Sequence, residues 1–297
     1  MNYNRVASLK GVTNMWPRIS VVTPSLNQGA FIEDAVLSVL RQEYPNFEHI
    51  IVDGSSTDGT VDFLRRSPHL RWTSERDKGQ SNALNKGLRM ATGHIVGWLN
   101  SDDRYRPGCF EKIVQAFRRF PDTDVIYGDY TYVNEHGCVF QNCREIEFSH
   151  FILRYNHVLY IPTTATFFRR RVVDEGNLID ERFDYAMDYE FFLRLAEKGY
   201  RFKHVPYLLA DYRWHPRSKS SSQPGKQRQE HDQIAQTYSP ILRRLPEGWW
   251  KKCALQVLRI PAKVLRYSEK LLKGYYFEQF RSPSLSTAGQ RRKPGQE

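Results

Sequence analysis

The 297-residue chain has no apolar run of the roughly 18 residues that a membrane-crossing helix needs. Cysteine is scarce. Cys109, Cys138, Cys143 and Cys253 form no CxxC pair, and a zinc site built on Cys138 and Cys143 would want two further ligands that the sequence does not offer. Four such thiols read as the reduced cysteines of a cytoplasmic protein. Met1 to Trp16 holds no apolar stretch of the kind that marks a secretory leader. No GxGxxG follows the first apolar run, which removes the dinucleotide-binding fingerprint. Internal repeats are absent as well.

What is present describes a globular protein: 40% hydrophobic, 13% aromatic and 26% charged residues. The net charge of +11 calls for an anionic partner, and its location narrows the choice. From Gln236 onward, 13 Lys and Arg face 4 Glu, so most of the excess sits in the last fifth of the chain. The body is close to neutral, which argues against a nucleic-acid clamp.

Apolar runs and helical periodicity alternate through the first 130 or so residues. Arg18–Thr23 reads as a buried strand stopped by Pro24, and Phe47–Asp53 as a second. Leu70–Ser74 is a third, and a fourth begins at His94 and runs into Asn100-Ser101-Asp102-Asp103. Between them lie helical stretches at Phe31–Gln42, Thr60–Arg65 (with Asp58 as its cap) and Gln80–Ala91. Pro107 opens a further helix reaching Phe120. Such βαβ spacing predicts an α/β fold with a mostly parallel, doubly wound sheet. Val125–Tyr127 is a short strand, and Tyr130–Phe140 a hairpin around Asn134-Glu135-His136-Gly137. Later, Thr163–Arg169 and Phe202–Tyr212 read as extended, and Asp188–Gly199 as a helix. Arg217–Arg228, rich in Ser, Lys, Gln, Pro and Gly, reads as a mobile loop.

Carboxylates recur at the strand ends: Asp53 after the second strand, Asp77 beyond the third, Asp102 and Asp103 after the fourth. Ligands of open parallel sheets bind at those carboxyl ends. A single acid there is often only a helix cap, but four in register can line one cleft. Two adjacent acids suit a hard divalent cation, Mg2+ or Mn2+, completed by phosphate oxygens.

Ile19-Ser20-Val21-Val22-Thr23-Pro24-Ser25-Leu26-Asn27, then Ile50 to Thr60, then Asn100-Ser101-Asp102-Asp103 resemble the successive motifs of the family 2 glycosyltransferases. The resemblance spans about residues 17 to 215. It implies a GT-A-like fold, an inverting mechanism and a nucleotide-diphosphate sugar donor, most commonly a UDP-sugar. It also implies that Pro24, Ser25 and Asn27 border the nucleotide and that Asp53 meets the base. Asp77, Gln80, Asn82 and Asn85 would touch nucleoside and donor sugar, with Ser101 beside them. Asp102 and Asp103 would be the metal and ribose acids of a DxD-type motif. Asn100 stands where many relatives carry the first acid, so the resemblance leaves open which of the two acids binds metal. Gly54 likewise replaces a common second acid after Asp53.

In that family the general base is an Asp opening a late helix, and Asp188 in Tyr185-Ala186-Met187-Asp188-Tyr189-Glu190 takes the position, with Met187 in place of the usual Glu. Asp188 could instead be only the cap of that helix. His215 falls where several relatives place a metal-side His, although a surface His at a loop start is the plainer alternative. Arg213, Arg217 and Lys219 could neutralise phosphate from a closing loop.

The domain reading is an N-terminal extension (1–16), a catalytic domain (17–216, divided into a nucleotide half 17–103 and an acceptor half 104–216), a mobile loop (217–235), a basic amphipathic helical extension (236–281) and a disordered tail (282–297). That extension fits an anchor on an anionic membrane surface, or else a helix packed on the domain. The expected function is metal-dependent sugar transfer to a sugar or lipid-linked sugar acceptor, in bacterial polysaccharide or glycolipid assembly. The expected location is cytoplasmic and peripheral on the inner face of the cell membrane, without nucleic acid. Two rivals remain. A nucleotidyltransferase would carry a basic phosphate loop after the first strand, and Thr23 to Gly29 contains no Lys or Arg. A non-catalytic module binding lipid or nucleic acid through its tail would have no use for the set of acids.

Overall fold

The computed structural model describes residues 16–156, 158–216, 218–219 and 223–276. Strands β1 (Ile19–Ser25), β2 (Phe47–Asp53), β3 (Arg71–Ser74) and β4 (Ile95–Trp98) lie in the order β3-β2-β1-β4, all parallel. Their apolar runs are buried on both faces: Ile19, Val21, Val22, Ile50, Ile51 and Val52 are fully enclosed. Helices α1 (Ile32–Leu40), α2 (Thr60–Arg65) and α3 (Gln80–Met90) are the crossovers.

Pro24 does not stop β1. The strand continues through it to Ser25, in register with Asp53. Leu99 N–H donates to Val22 O, whereas Gly54 N–H donates to Ser25 O, so alternate residues address opposite neighbours. Pro24 therefore turns its missing donor towards β4, whose pairing has already ended at Trp98.

Helix α3 lies unusually close to this sheet because Gly87 has no side chain. A Cβ there would stand 2.4 Å from Val22 Cγ1. That approach seals the layer formed by Leu84, Leu88, Val22 and Val52.

Beyond β4 the sheet becomes mixed. Strand β5 is Arg104–Tyr105, and α4 spans Cys109–Arg119, starting after Gly108 rather than at Pro107 because Gly108 turns the chain at φ 71°. The predicted hairpin forms from β6 (Val125–Val133) and β7 (Val139–Cys143). Helix α5 is His150–Tyr155, β8 is Thr166–Arg169, α6 is Arg171–Asp174, α7 is Met187–Glu197 and β9 is Phe202–Arg213. The complete order is β3-β2-β1-β4-β8-β6-β9-β5, with β7 on β6. β8 runs antiparallel to both β4 and β6, while β6 and β9 are parallel.

Where the sequence suggests a loop, Pro224–Tyr238 forms helix α8, with Pro224 in its first turn. Its buried residues His231, Ile234 and Ala235 explain the order: a short apolar patch suffices to dock a polar helix. Arg217 and residues 220–222 lie outside the described residues, as do 1–15 and 277–297, which contain the proposed extension and tail. Helix α9 (Pro240–Arg243) and the long α10 (Trp249–Leu272) follow, and Tyr155, Ala235, Leu242, Leu255 and Ala262 form the small core that joins them to the domain.

Candidate active site

The ends of β1, β2 and β4 and the starts of α3 and α7 converge. Asp53 ends β2 fully buried. It accepts from Ser56 N (2.9 Å), Ser56 Oγ (2.5 Å) and Ser74 Oγ (2.7 Å), which fix its carboxylate beneath the 54–59 loop. Asn27, in the left-handed region at φ 52°, staples the loop after β1 to that same loop. Its N–H donates to Ser56 Oγ, and its Oδ1 accepts from Thr57 N. Asp58 closes the arrangement by accepting from Gly29 N and Thr60 Oγ1. Two loops thus form one rigid lip.

Gly54 leaves room for Asp77, since a Cβ on it would lie 2.7 Å from Asp77 Oδ2 and 3.4 Å from Leu26 Cδ1. Asp77 Oδ1 accepts from Gly79 N at 2.8 Å. Pro24 and Ser25 close the floor at the end of β1, and Ser25 Oγ, buried, has no hydrogen-bond partner among the described residues.

The start of α3 bridges this lip to the rest of the site. Gln80 Nε2 donates to Asn100 Oδ1 (3.1 Å), as does Trp98 Nε1 (3.0 Å). Ser81 Oγ donates to Phe183 O and to Met187 Sδ at the start of α7. Asn82 and Asn85 face another way. Both donate to Glu181, and Asn85 also exchanges two hydrogen bonds with the Ile179 backbone, so these amides are spent on holding the 179–181 loop to α3.

The two acids after β4 separate in role. Asp103 is buried and accepts from Arg213 N (2.8 Å) and Asn100 Nδ2 (3.3 Å); burial, reinforced by neighbouring Asp102, pushes its carboxyl well above the usual range. Ser101 is buried beside it. Asp102 turns the other way, with Oδ2 3.1 Å from His215 Nε2, and the imidazole is braced against Phe31 at 4.8 Å between ring centres. His215 is not a surface histidine.

Arg213 is not available for phosphate. Its guanidinium is fully buried, donating to Asp102 O (2.8 Å), Glu135 O (2.7 Å) and Asp34 Oδ2 (2.6 Å). It ends the buried strand β9 instead of entering the loop. Lys219 points to the start of α7, where it pairs with Asp184 at 2.8 Å.

Asp188 is not the cap of α7. Its Oδ2 accepts from Thr163 Oγ1 at 3.0 Å and its Oδ1 from Tyr189 N at 2.8 Å. Burial raises its pKa, against the opposing pull of those two donors and of Lys219. The helix start is served from elsewhere: Glu230 of α8 accepts from Tyr185 N and Ala186 N, each at 2.8 Å, and from Asp184 N at 3.1 Å. A negative charge there also complements the helix dipole. Neither Glu230 nor Thr163 carries a local sequence signal, because their partners lie 44 to 46 and 25 residues away.

The glycosyl transferase family 2 model matches residues 20–176, more than half of the chain. The chain belongs to this family. TuaG of Bacillus subtilis, a glycosyltransferase named for teichuronic acid biosynthesis, is 43% identical over 107 residues, or 34% of this chain and 42% of TuaG. The chain spans 20% to 42% of the length of the first curated relatives it matches. Among solved structures, S. aureus TarS 1-349 in complex with UDP-GlcNAc superposes with a TM-score of 0.56 at 19% identity, over 82% of this chain and 79% of that one. The mannosyltransferase PcManGT of Pyrobaculum calidifontis, in complex with GDP-Man and Mn2+, gives 0.56 at 21% identity, over 88% and 80%. The chain shares the fold of these two structures.

Proposed function

We propose that this family 2 glycosyltransferase moves a sugar, with inversion, from a UDP-sugar to an acceptor hydroxyl deprotonated by Asp188. The observation that carries the reading is the half-buried Asp188 carboxylate, held by Thr163 and Tyr189 at the start of α7, whose first residue, Met187, is tied by Ser81 to the donor-side helix α3. The acceptor oxygen forms a bond to the anomeric carbon as the bond from that carbon to the diphosphate oxygen breaks. The electron pair leaves with the nucleoside diphosphate, and the hydroxyl proton passes to Asp188. A raised pKa suits a base, because it strengthens the affinity of the carboxylate for that proton.

On the donor side, Asp77, Gly54 and Leu26 line the space for the nucleoside, above Pro24, Ser25, Asn27 and Asp53. Gln80, Ser101 and Asp102 stand toward the diphosphate, with Asn82 and Asn85 supporting α3 from behind. Asp102 and His215, 3.1 Å apart, would hold a divalent metal. Among the described residues no group of three or more His, Cys, Asp or Glu gathers to hold an ion. A carboxylate and an imidazole fit Mn2+ or Mg2+ whose other positions are taken by diphosphate and water. Bound there, the ion would neutralise charge on the departing diphosphate. Asp103 supports the pair from below by fixing Arg213.

The names of the relatives, which speak of teichuronic acid, hyaluronan and chondroitin, support a polysaccharide product; our reading adds a sugar or lipid-linked sugar acceptor and a place at the inner face of the cell membrane, where such an acceptor is held. Asp188→Asn tests the chemistry. Transfer should fall by at least ~100-fold, the lower range for a positioned base, while the rise in Tm on adding UDP and Mn2+ stays as in the wild type. Normal turnover in that variant refutes the assignment.

A further inference from the structure

Helix α10 wears its polarity reversed. Three of its basic side chains face the domain: Arg259 pairs with Asp232, while Arg266 and Lys270 both reach the buried Glu145, at 3.1 and 3.0 Å. Its apolar side chains face solvent. Trp250, Val257, Ile260, Val264 and Leu271 are each more than half exposed. Their spacing by threes, fours and sevens aligns them on one side of the helix, opposite Leu255, Arg259, Ala262 and Arg266. The stripe runs for about 32 Å at 1.5 Å per residue.

Two core residues, Leu255 and Ala262, and three ion pairs therefore hold the helix in the orientation that wastes its hydrophobic face in water. A contiguous apolar patch of this length marks a docking surface. Charge selects the occupant. The only acid in the helix, Glu269, turns back to accept from Glu147 N and to pair with Lys273. Lys252 and Lys263 are exposed beside the stripe and have no ion-pair partner among the described residues. Two copies packed stripe to stripe would set these lysines near one another with no carboxylate to receive them, whereas paired helices need complementary flanks. A bilayer surface supplies both an apolar layer and anionic headgroups, and the stacked Trp249 and Trp250 suit its boundary.

We propose that the outward stripe of α10 inserts into the interfacial layer of an anionic membrane, with Lys252 and Lys263 at headgroup level. This deepens the membrane location proposed above and rests on it. The basic residues already committed to Asp232 and Glu145 take no part, so the attraction is chiefly apolar.

The full-length protein should float with vesicles of phosphatidylethanolamine and phosphatidylglycerol. The triple substitution V257S/I260S/V264S should lower partitioning by at least ~100-fold, since each buried aliphatic side chain is worth about tenfold or more. Because all three side chains are exposed, the variant should keep the wild-type Tm and its rise with UDP and Mn2+; that second readout reports donor binding separately from lipid binding. Wild-type protein that stays with the bottom fraction, or a variant that floats equally well, overturns the proposal. Wild-type dimers in sedimentation velocity that the triple variant converts to monomers, without flotation, assign the stripe to self-association and overturn it too.

Discussion

Replacing Glu230 by Ala should cripple catalysis from a residue that touches no substrate. The carboxylate of this α8 side chain accepts from three consecutive backbone N–H groups at the head of α7, two of them at 2.8 Å. Ala186 is fully buried, so its orphaned N–H would find no water, and an unsatisfied buried donor costs about 1–3 kcal/mol. Asp184 is exposed and Tyr185 half-buried, so solvent replaces much of what they lose. Removing the charge from the positive end of the helix dipole adds about 0.3–1 kcal/mol. The total is about 2 kcal/mol, or a Tm lower by about 3 °C for a chain of this length. The kinetic effect is separable. Asp188 lies two residues beyond the capped segment, and an error of about 1 Å in a reacting group costs roughly 100-fold. Steady-state assays should therefore show kcat down by about 10- to 100-fold, with the donor KM within about threefold. Glu230→Gln, which keeps an acceptor oxygen, should recover part of both losses. A Glu230→Ala enzyme with wild-type kcat would refute the idea that α8 positions the base.

Asp102→Ala should abolish the extra Tm rise that Mn2+ adds to UDP while leaving the shift from UDP alone, with metal affinity down by more than ~100-fold, since losing even an outer partner of a ligand costs 10- to 100-fold. Glu48 gives a pH prediction. Burial works to raise its pKa, but hydrogen bonds from Ser20, Thr92 and Arg71 outweigh it and hold the carboxyl at about 2. Its stabilisation is complete above the unfolded value near 4.5 and is lost as pH falls through about 2, so Glu48→Gln should flatten the acid limb of Tm against pH and cost on the order of 3 kcal/mol at neutrality. Gly87→Ala gains about 1 kcal/mol of helix propensity but drives a methyl group to 2.4 Å from Val22 Cγ1, so thermal melts should show a net loss of about 1–2 kcal/mol, and an unchanged or raised Tm would sink that account.

The nucleotide half was legible because local pattern and global fold agree there. Apolar runs of four to seven residues became β1 to β4 within two residues of the expected bounds, since strands buried on both faces have no polar alternation to confuse them. The acceptor half was harder. β6 joins into one nine-residue strand what reads in the sequence as a short strand, Val125–Tyr127, and the first arm of the hairpin from Tyr130, because it pairs with β8 early and β7 late, a non-local arrangement that its Gly-Asp-Tyr-Thr sequence does not announce. At the candidate site, the motifs nominate Asp102, His215, Asp77 and Gln80; Asp102 Oδ2 lies 3.1 Å from His215 Nε2, and Gln80 Nε2 3.1 Å from Asn100 Oδ1. Arg213 was misread as a phosphate ligand because its burial depends on Asp34, 179 residues earlier. The basic tail was counted as charge facing outward, when three of its cations are consumed by acids of the domain. Charge counting sees quantity and not direction.

Glu145 gives the tail a hold over the domain that its distance from the chemistry conceals. The carboxylate is sealed from water and its compensating cations, Arg266 and Lys270, arrive only with the last turns of α10. A version of the chain cut before Arg266 would strand that anion in an apolar setting among Tyr127, Tyr130 and Tyr160. Trimming intended to remove a sticky segment would thus wound the fold itself, since the helix proposed to meet the lipid is also the stopper over Glu145.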